Sequence, residues 1–165
     1  MNDFAFYPKE PFIGVDCSGQ PNSPPMIAVA TRWIRRRNEH KWIVKISAAQ
    51  IAKHHTKRDW QGKLYASLIF KAVDEVLQPN FVIHIDGDYQ STRQQRKIVG
   101  YLKYLIGSFH SGDPAKENPE IFIKTKRDSK YVNDAHIKHQ LASAGKMRID
   151  EKTGLDHLMK LLEDK

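Results

Sequence analysis

Phe81-Val82-Ile83-His84-Ile85-Asp86-Gly87 is the stretch that decides the fold. It is short, apolar and rich in β-branched residues, so it predicts a buried strand. It follows the turn formers Pro79-Asn80 and ends on a carboxylate and a glycine. Far upstream, Phe12-Ile13-Gly14-Val15 ends the same way on Asp16. What lies between decides how the two runs meet. Residues 26–33 (MIAVATRW) and 42–46 (WIVKI) predict two more strands. The short polar connection Arg35-Arg36-Arg37-Asn38-Glu39-His40 makes them a hairpin. The period then changes: Leu64, Leu68, Ala72, Val73, Val76 and Leu77 recur at helical spacing, and Pro79 stops that helix.

Downstream, Ile98, Tyr101, Leu102, Leu105, Ile106 and Phe109 predict a second helix, with Ser91 or Thr92 as its cap. Ile121-Phe122-Ile123 predicts a strand, residues 132–142 a helix, and Leu155, Leu158, Met159 and Leu162 a terminal helix. The order β-β-β-α-β-α-β-α-α implies an α/β fold with a mixed five-stranded sheet and flanking helices. Right-handed crossover makes the first and fourth strands parallel neighbours. Asp16 and Asp86 then sit side by side at their carboxyl ends. We expect one domain over residues 1–165, with its core at about 12–142 and its last helix at about 153–163.

Composition narrows the function classes. The chain has 165 residues, a net charge of +8 and a single cysteine, Cys17. One cysteine excludes an intrachain disulfide framework and a cysteine-based zinc cluster, and fits a reducing, cytoplasmic setting. No run approaches the ~20 apolar residues of a membrane span, so no membrane partner is expected. The basic balance points to nucleic acid. Its cations cluster: Arg35, Arg36 and Arg37 at the hairpin; Lys57 and Arg58 beside Trp60; Arg93 and Arg96 at the second helix; Lys126, Arg127 and Lys130 after the fifth strand.

Ligands in open α/β sheets gather beyond the carboxyl ends of parallel strands. Two carboxylates placed there could share a divalent metal, which would offset their desolvation. Asp128 also follows a strand, in Lys124-Thr125-Lys126-Arg127-Asp128-Ser129-Lys130-Tyr131-Val132, surrounded by cations suited to phosphate. Against this stands the ordinary use of aspartate as a turn former.

With these motifs in place, the chain resembles the ribonuclease H-like superfamily, and its local motifs look most like type 2 ribonuclease H. Val15-Asp16-Cys17-Ser18-Gly19 is similar to that family's first-strand hydrophobic-Asp-Glu-Ala-Gly. Asp86-Gly87 resembles its Asp-Gly after the fourth strand, and Asp128-Ser129-Lys130-Tyr131 its Asp-x-Lys-Tyr. Two departures stand out. Cys17 replaces a glutamate, and Gly19-Gln20-Pro21 replaces Gly-Arg-Gly. The segment from Ile83 to Asp88, with 121–127, is also similar to the Argonaute nuclease (PIWI) domain, where a late histidine or aspartate joins the acids.

The resemblance implies a two-metal endonuclease acting on RNA or RNA–DNA hybrid with Mg²⁺ or Mn²⁺. Asp16, Asp86 and Asp128 would be the metal ligands and Asp134 a further catalytic acid, with Asp88 in reserve. His136 or His139 would be the late residue or a proton shuttle, and Glu75 a weaker candidate. The alternative is an inactive domain of the same fold that binds nucleic acid or a protein partner.

Overall fold

A computed structural model describes residues 12–18, 26–34, 37–55, 58–78, 80–87, 91–152 and 154–165. The strands are β1 (Phe12–Ser18), β2 (Met26–Ile34), β3 (Arg37–Ile46), β4 (Val82–Asp86), β5 (Glu120–Lys124) and β6 (Glu151–Lys152). The helices are α1 (Ala48–Ala52), α2 (Trp60–Asp74), α3 (Thr92–Phe109), α4 (Pro114–Glu117), α5 (Lys130–Ser143) and α6 (Asp156–Leu161). The three long helices and first five strands fall where periodicity predicts them, but β1 runs on to Ser18 and β3 begins at Arg37, inside the connection expected at 35–40.

The sheet has six strands in the order β5-β4-β1-β2-β3-β6. β1 pairs antiparallel with β2 and parallel with β4; β4 pairs parallel with β5. This mixed order, with β1 between an antiparallel and a parallel neighbour, is compatible with a ribonuclease H-like fold. The sixth strand adds to the five expected. It pairs only two residues with β3, at Val44↔Glu151 and Lys45↔Lys152. Asp150 fixes it there: its backbone N–H donates to the Ile43 carbonyl, and its Oδ2 accepts from the Ile43 N–H, both at 2.8 Å.

Alternation along the strands sorts the core onto two faces. Ile13 and Val15 of β1, Ile83 and Ile85 of β4, and Val44 and Ile46 of β3 join the apolar sides of α2, α3 and α6. The opposite face carries Ile27, Val29 and Ile43, which pack with Ala135 and Ala142 of α5. α2 is buried along nearly its whole length, down to Lys63. The Lys63 ammonium escapes an apolar burial by donating to the Glu163 carbonyl at 3.2 Å, while its stem packs. Ser91 caps α3, its hydroxyl accepting from the Gln94 N–H. Among the described residues no helix is long and apolar enough to cross a membrane.

Candidate metal centre

Val15 pairs with Ile85 across the parallel β1–β4 ladder. Asp16 and Asp86 each follow that last pair. Asp86 ends β4, whereas β1 runs on past Asp16 to Ser18, still paired with β2, so the expectation that Asp16 lies beyond its strand is corrected. Because Val15 faces α2, Asp16 belongs by alternation to the face that carries α5, where it meets His136 and His139.

Gly14 brings α5 down onto that face. A Cβ on Gly14 would lie 2.1 Å from the Tyr131 carbonyl oxygen, so helix backbone occupies the space a side chain would need. From Tyr131 the helix runs on past Asp16 and presents His136 and His139. Three residues apart, these two share one face of the helix. Asp16 Oδ2 is 3.2 Å from His136 Nδ1 and 3.3 Å from His139 Nδ1. The Asp16 side chain is 1% exposed, those of the histidines 17% and 12%. One ligand atom from each of the three residues falls within 4.8 Å of the others. Burial, and next the neighbouring His136, hold the basicity of His139 below that of an ordinary histidine, so its ring favours the neutral form. Lys126 Nζ lies 3.4 Å from His136 Nε2, which sets a cation at the rim of the cluster.

Asp86 ends β4 half-buried. It borders a cavity of about 20 Å³ shared with Cys17, Gly87 and Gln95, room for one water. Gly87 is there for packing as much as for turning. A Cβ on it would meet Ile123 Cγ2 at 2.2 Å, and Gln95 Nε2 donates to its carbonyl at 2.8 Å. Cys17 points away from Asp16, packing against the α2-side core. Burial, and next the Asp16 charge, push its thiol well above the usual range, so it stays protonated. A protonated thiol on the opposite face of the sheet is no partner for a metal at Asp16.

The other predicted acids have local roles. Asp128 is exposed in the turn before α5, where its Oδ2 accepts from Thr125 Oγ1 at 2.9 Å. Asp134 pairs with Lys138 one turn along the helix at 2.6 Å. Glu75 is exposed at the end of α2. None of Asp86, Asp128 and Asp134 is in the cluster around Asp16, so the expected set of metal-binding acids is not brought together there. What gathers there is one carboxylate and two imidazoles. Mg²⁺ favours oxygen ligands, so this donor set does not suit it, whereas imidazole suits first-row transition metals.

Of the predicted phosphate-binding cations, Arg58, Arg93, Arg96 and Arg127 are exposed and Lys126 is half-buried. Lys130 Nζ lies over the rings of Trp33 and Tyr131, at 5.6 and 5.3 Å. Arg35, Arg36, Lys57 and Asp88 lie outside the described residues, as does the side chain of Arg37. His136 and His139 were expected as a late residue or a proton shuttle; nothing local to them announced that both meet Asp16 of the first strand. Comparison with protein families finds none that matches the chain, and comparison with curated proteins finds no match either.

Proposed function

We propose that the chain is a metal-dependent nuclease that hydrolyses phosphodiester bonds in RNA or RNA–DNA hybrid. The observation that supports this reading is the parallel β1–β4 register, whose last pair, Val15 with Ile85, is followed on both central strands by an aspartate. Catalytic acids in open α/β sheets belong at this place. In phosphoryl hydrolysis a divalent metal supplies a water of lowered pKa and neutralises charge on the leaving oxygen.

The chain's own residues do the rest. Asp16, held rigid by its burial and by two imidazoles, is the fixed anionic point of the site. Asp86 ends the neighbouring strand, half-buried. Lys126, beside His136, and the exposed Arg127 offer phosphate contacts, which position a strand without reading its sequence. The motif likeness to type 2 ribonucleases H extends the proposal to hybrid substrates.

The experiment is cleavage of labelled RNA–DNA hybrid, RNA and single-stranded DNA with Mg²⁺ or Mn²⁺. We expect hybrid or RNA to be cut. Asp16→Asn and Asp86→Asn should each lose more than the roughly 10–100-fold that an outer-shell change costs. Cleavage undiminished in both variants would move the site elsewhere. Binding without cleavage under every metal condition would leave a nucleic-acid-binding domain. Cys17 favours that second reading, since the enzymes with the most similar motifs carry a glutamate there. Failure to bind any nucleic acid would favour a protein-interaction module.

A further inference from the structure

We infer that Asp16, His136 and His139 form a mononuclear site for a first-row transition metal of the Mn²⁺–Co²⁺–Zn²⁺ series, and that Mg²⁺ does not compete for it. The inference rests on the proposed nuclease reading in naming the metal class of that site; it shares Asp16 with it, adds His136 and His139, and is tested by binding.

The first support is distance. Two ligands each about 2.1 Å from a common metal lie roughly 3.0–3.4 Å apart along an edge of the coordination polyhedron. Asp16 Oδ2 is 3.2 Å from one Nδ1 and 3.3 Å from the other, and the three donor atoms all fall within 4.8 Å.

Rigidity is the second. The carboxylate comes from a central strand with its side chain 1% exposed. Both imidazoles come from one helix, one turn apart, on a backbone that Gly14 lets down against the strand. Donors held on regular elements lose little freedom when they bind an ion.

Access is the third. The histidines keep 17% and 12% of their side chains exposed, so the site opens to water on one side. Three protein ligands and an open position are the pattern of a catalytic metal site; a structural site is closed by four.

Donor chemistry then selects the ion. Affinity of such a site rises from Mn²⁺ to Co²⁺, and imidazole suits Zn²⁺ as well. Mg²⁺ keeps its waters and prefers carboxylate and phosphate oxygen. The arrangement without metal would be an aspartate hydrogen-bonded to His136 with His139 beside it, which predicts no metal binding at all.

The test is titration of the full-length, metal-stripped protein with CoCl₂, followed by the visible ligand-field bands of Co²⁺. Competition with ZnCl₂, MnCl₂ and MgCl₂ comes next. We expect one Co²⁺ per chain, displaced by Zn²⁺, displaced weakly by Mn²⁺, and retained in a thousand-fold excess of Mg²⁺. His136→Gln and His139→Gln should each weaken binding at least tenfold and alter the bands; His157→Gln, at an exposed histidine of α6, should change neither. Circular dichroism confirms that each variant is folded. Should His139→Gln not fold, His136→Gln at the more exposed ring gives the same reading.

Displacement by Mg²⁺ at comparable concentration overturns the inference, as does Co²⁺ binding that survives both histidine changes or no binding at all. Co²⁺ bound as expected with no nucleic acid cleaved would defeat the nuclease reading and leave the metal site standing. Metal-dependent cleavage by a protein that binds no Co²⁺ would do the opposite.

Discussion

The carbonyl oxygen of Tyr131 occupies the place where Gly14 would carry a side chain: a Cβ there would be 2.1 Å from the oxygen and 2.3 Å from its carbon. Backbone cannot rotate aside as a flexible side chain can. Gly14→Ala should therefore push α5 off the sheet, at a cost of about 3 kcal/mol, the upper part of the overpacking range. Because α5 carries His136 and His139, the same change should weaken Co²⁺ binding. Thermal melting and the Co²⁺ titration on one sample check both effects. A melting temperature within a degree of the parent would show that the helix does not press on β1 there.

Gly100 is the contrasting glycine. It is exposed in the middle of α3, and a Cβ on it meets nothing within 4 Å. Gly100→Ala should stabilise the fold by about 0.5–1 kcal/mol, because alanine loses less backbone freedom on entering a helix. Urea unfolding with an unchanged slope and a raised midpoint is the expected result.

Tyr101 of α3 donates its phenol hydrogen to Asp59 Oδ2, the residue that precedes α2. Burial, then this bond, raise the phenol to about 12 from an ordinary value of 10. A raised folded value means stability that is complete below pH 10 and lost as pH climbs through about 12. Tyr101→Phe removes the bond and should cost about 1–2 kcal/mol near neutrality. The gap between parent and variant should close between pH 10 and 12. Melting both proteins across that window, with phenolate absorbance followed in parallel, measures it. A gap that stays constant to pH 12 would assign the cost to packing alone.

Lys126, Arg127 and Lys130 surround the start of α5. If they hold phosphates, replacing all three with alanine should lower the slope of log affinity against log salt by about 2–3 for a duplex, at roughly 0.9 for each phosphate no longer neutralised. Fluorescence anisotropy on a hybrid duplex across a salt series gives the slopes. Weaker binding with an unchanged slope would mean that these residues do not touch the backbone of the nucleic acid.

Much of this architecture was legible because its signals are long. Residues 64–77 and 98–109 repeat at helical spacing over several turns, and β1 and β4 each compress an apolar run into a few residues before an acid. The parallel pairing followed from chain order alone. What escaped was short or remote. α1 is five residues held by Ser47 and Gln50, which cap each other's backbone, and β6 is two residues anchored by Asp150. Neither is long enough to show a period. Buried Lys63 fits the apolar stripe of no helix template; its amine is satisfied by a carbonyl a hundred residues away.

The site divides in the same way. An acid after an apolar run is a local feature, which is why Asp16 and Asp86 stood out, although β1 continues past Asp16 to Ser18 and Asp86 is not in the Asp16 cluster. Asp128 and Asp134 carry the same residue type, yet one closes a turn with Thr125 and the other pairs with Lys138 on its own helix. Sequence pattern does not separate an acid with a nearby partner from one left for chemistry. His136 and His139 looked like members of a polar helix because the carboxylate they meet is separated from them by most of the chain.

That separation governs when the site exists. His136 and Asp16 lie 120 residues apart in sequence. A chain still emerging from synthesis can close the β1–β2–β3 meander early, since those strands are near one another in sequence. It would then carry a carboxylate on the inner face of its sheet with neither histidine yet made. Asp16 becomes compatible with burial only when α5 docks, so the last large helix completes both the core and the donor set in one event. An ion bound there would tie the first strand to the last long helix like a latch, and its release would be among the first steps of unfolding.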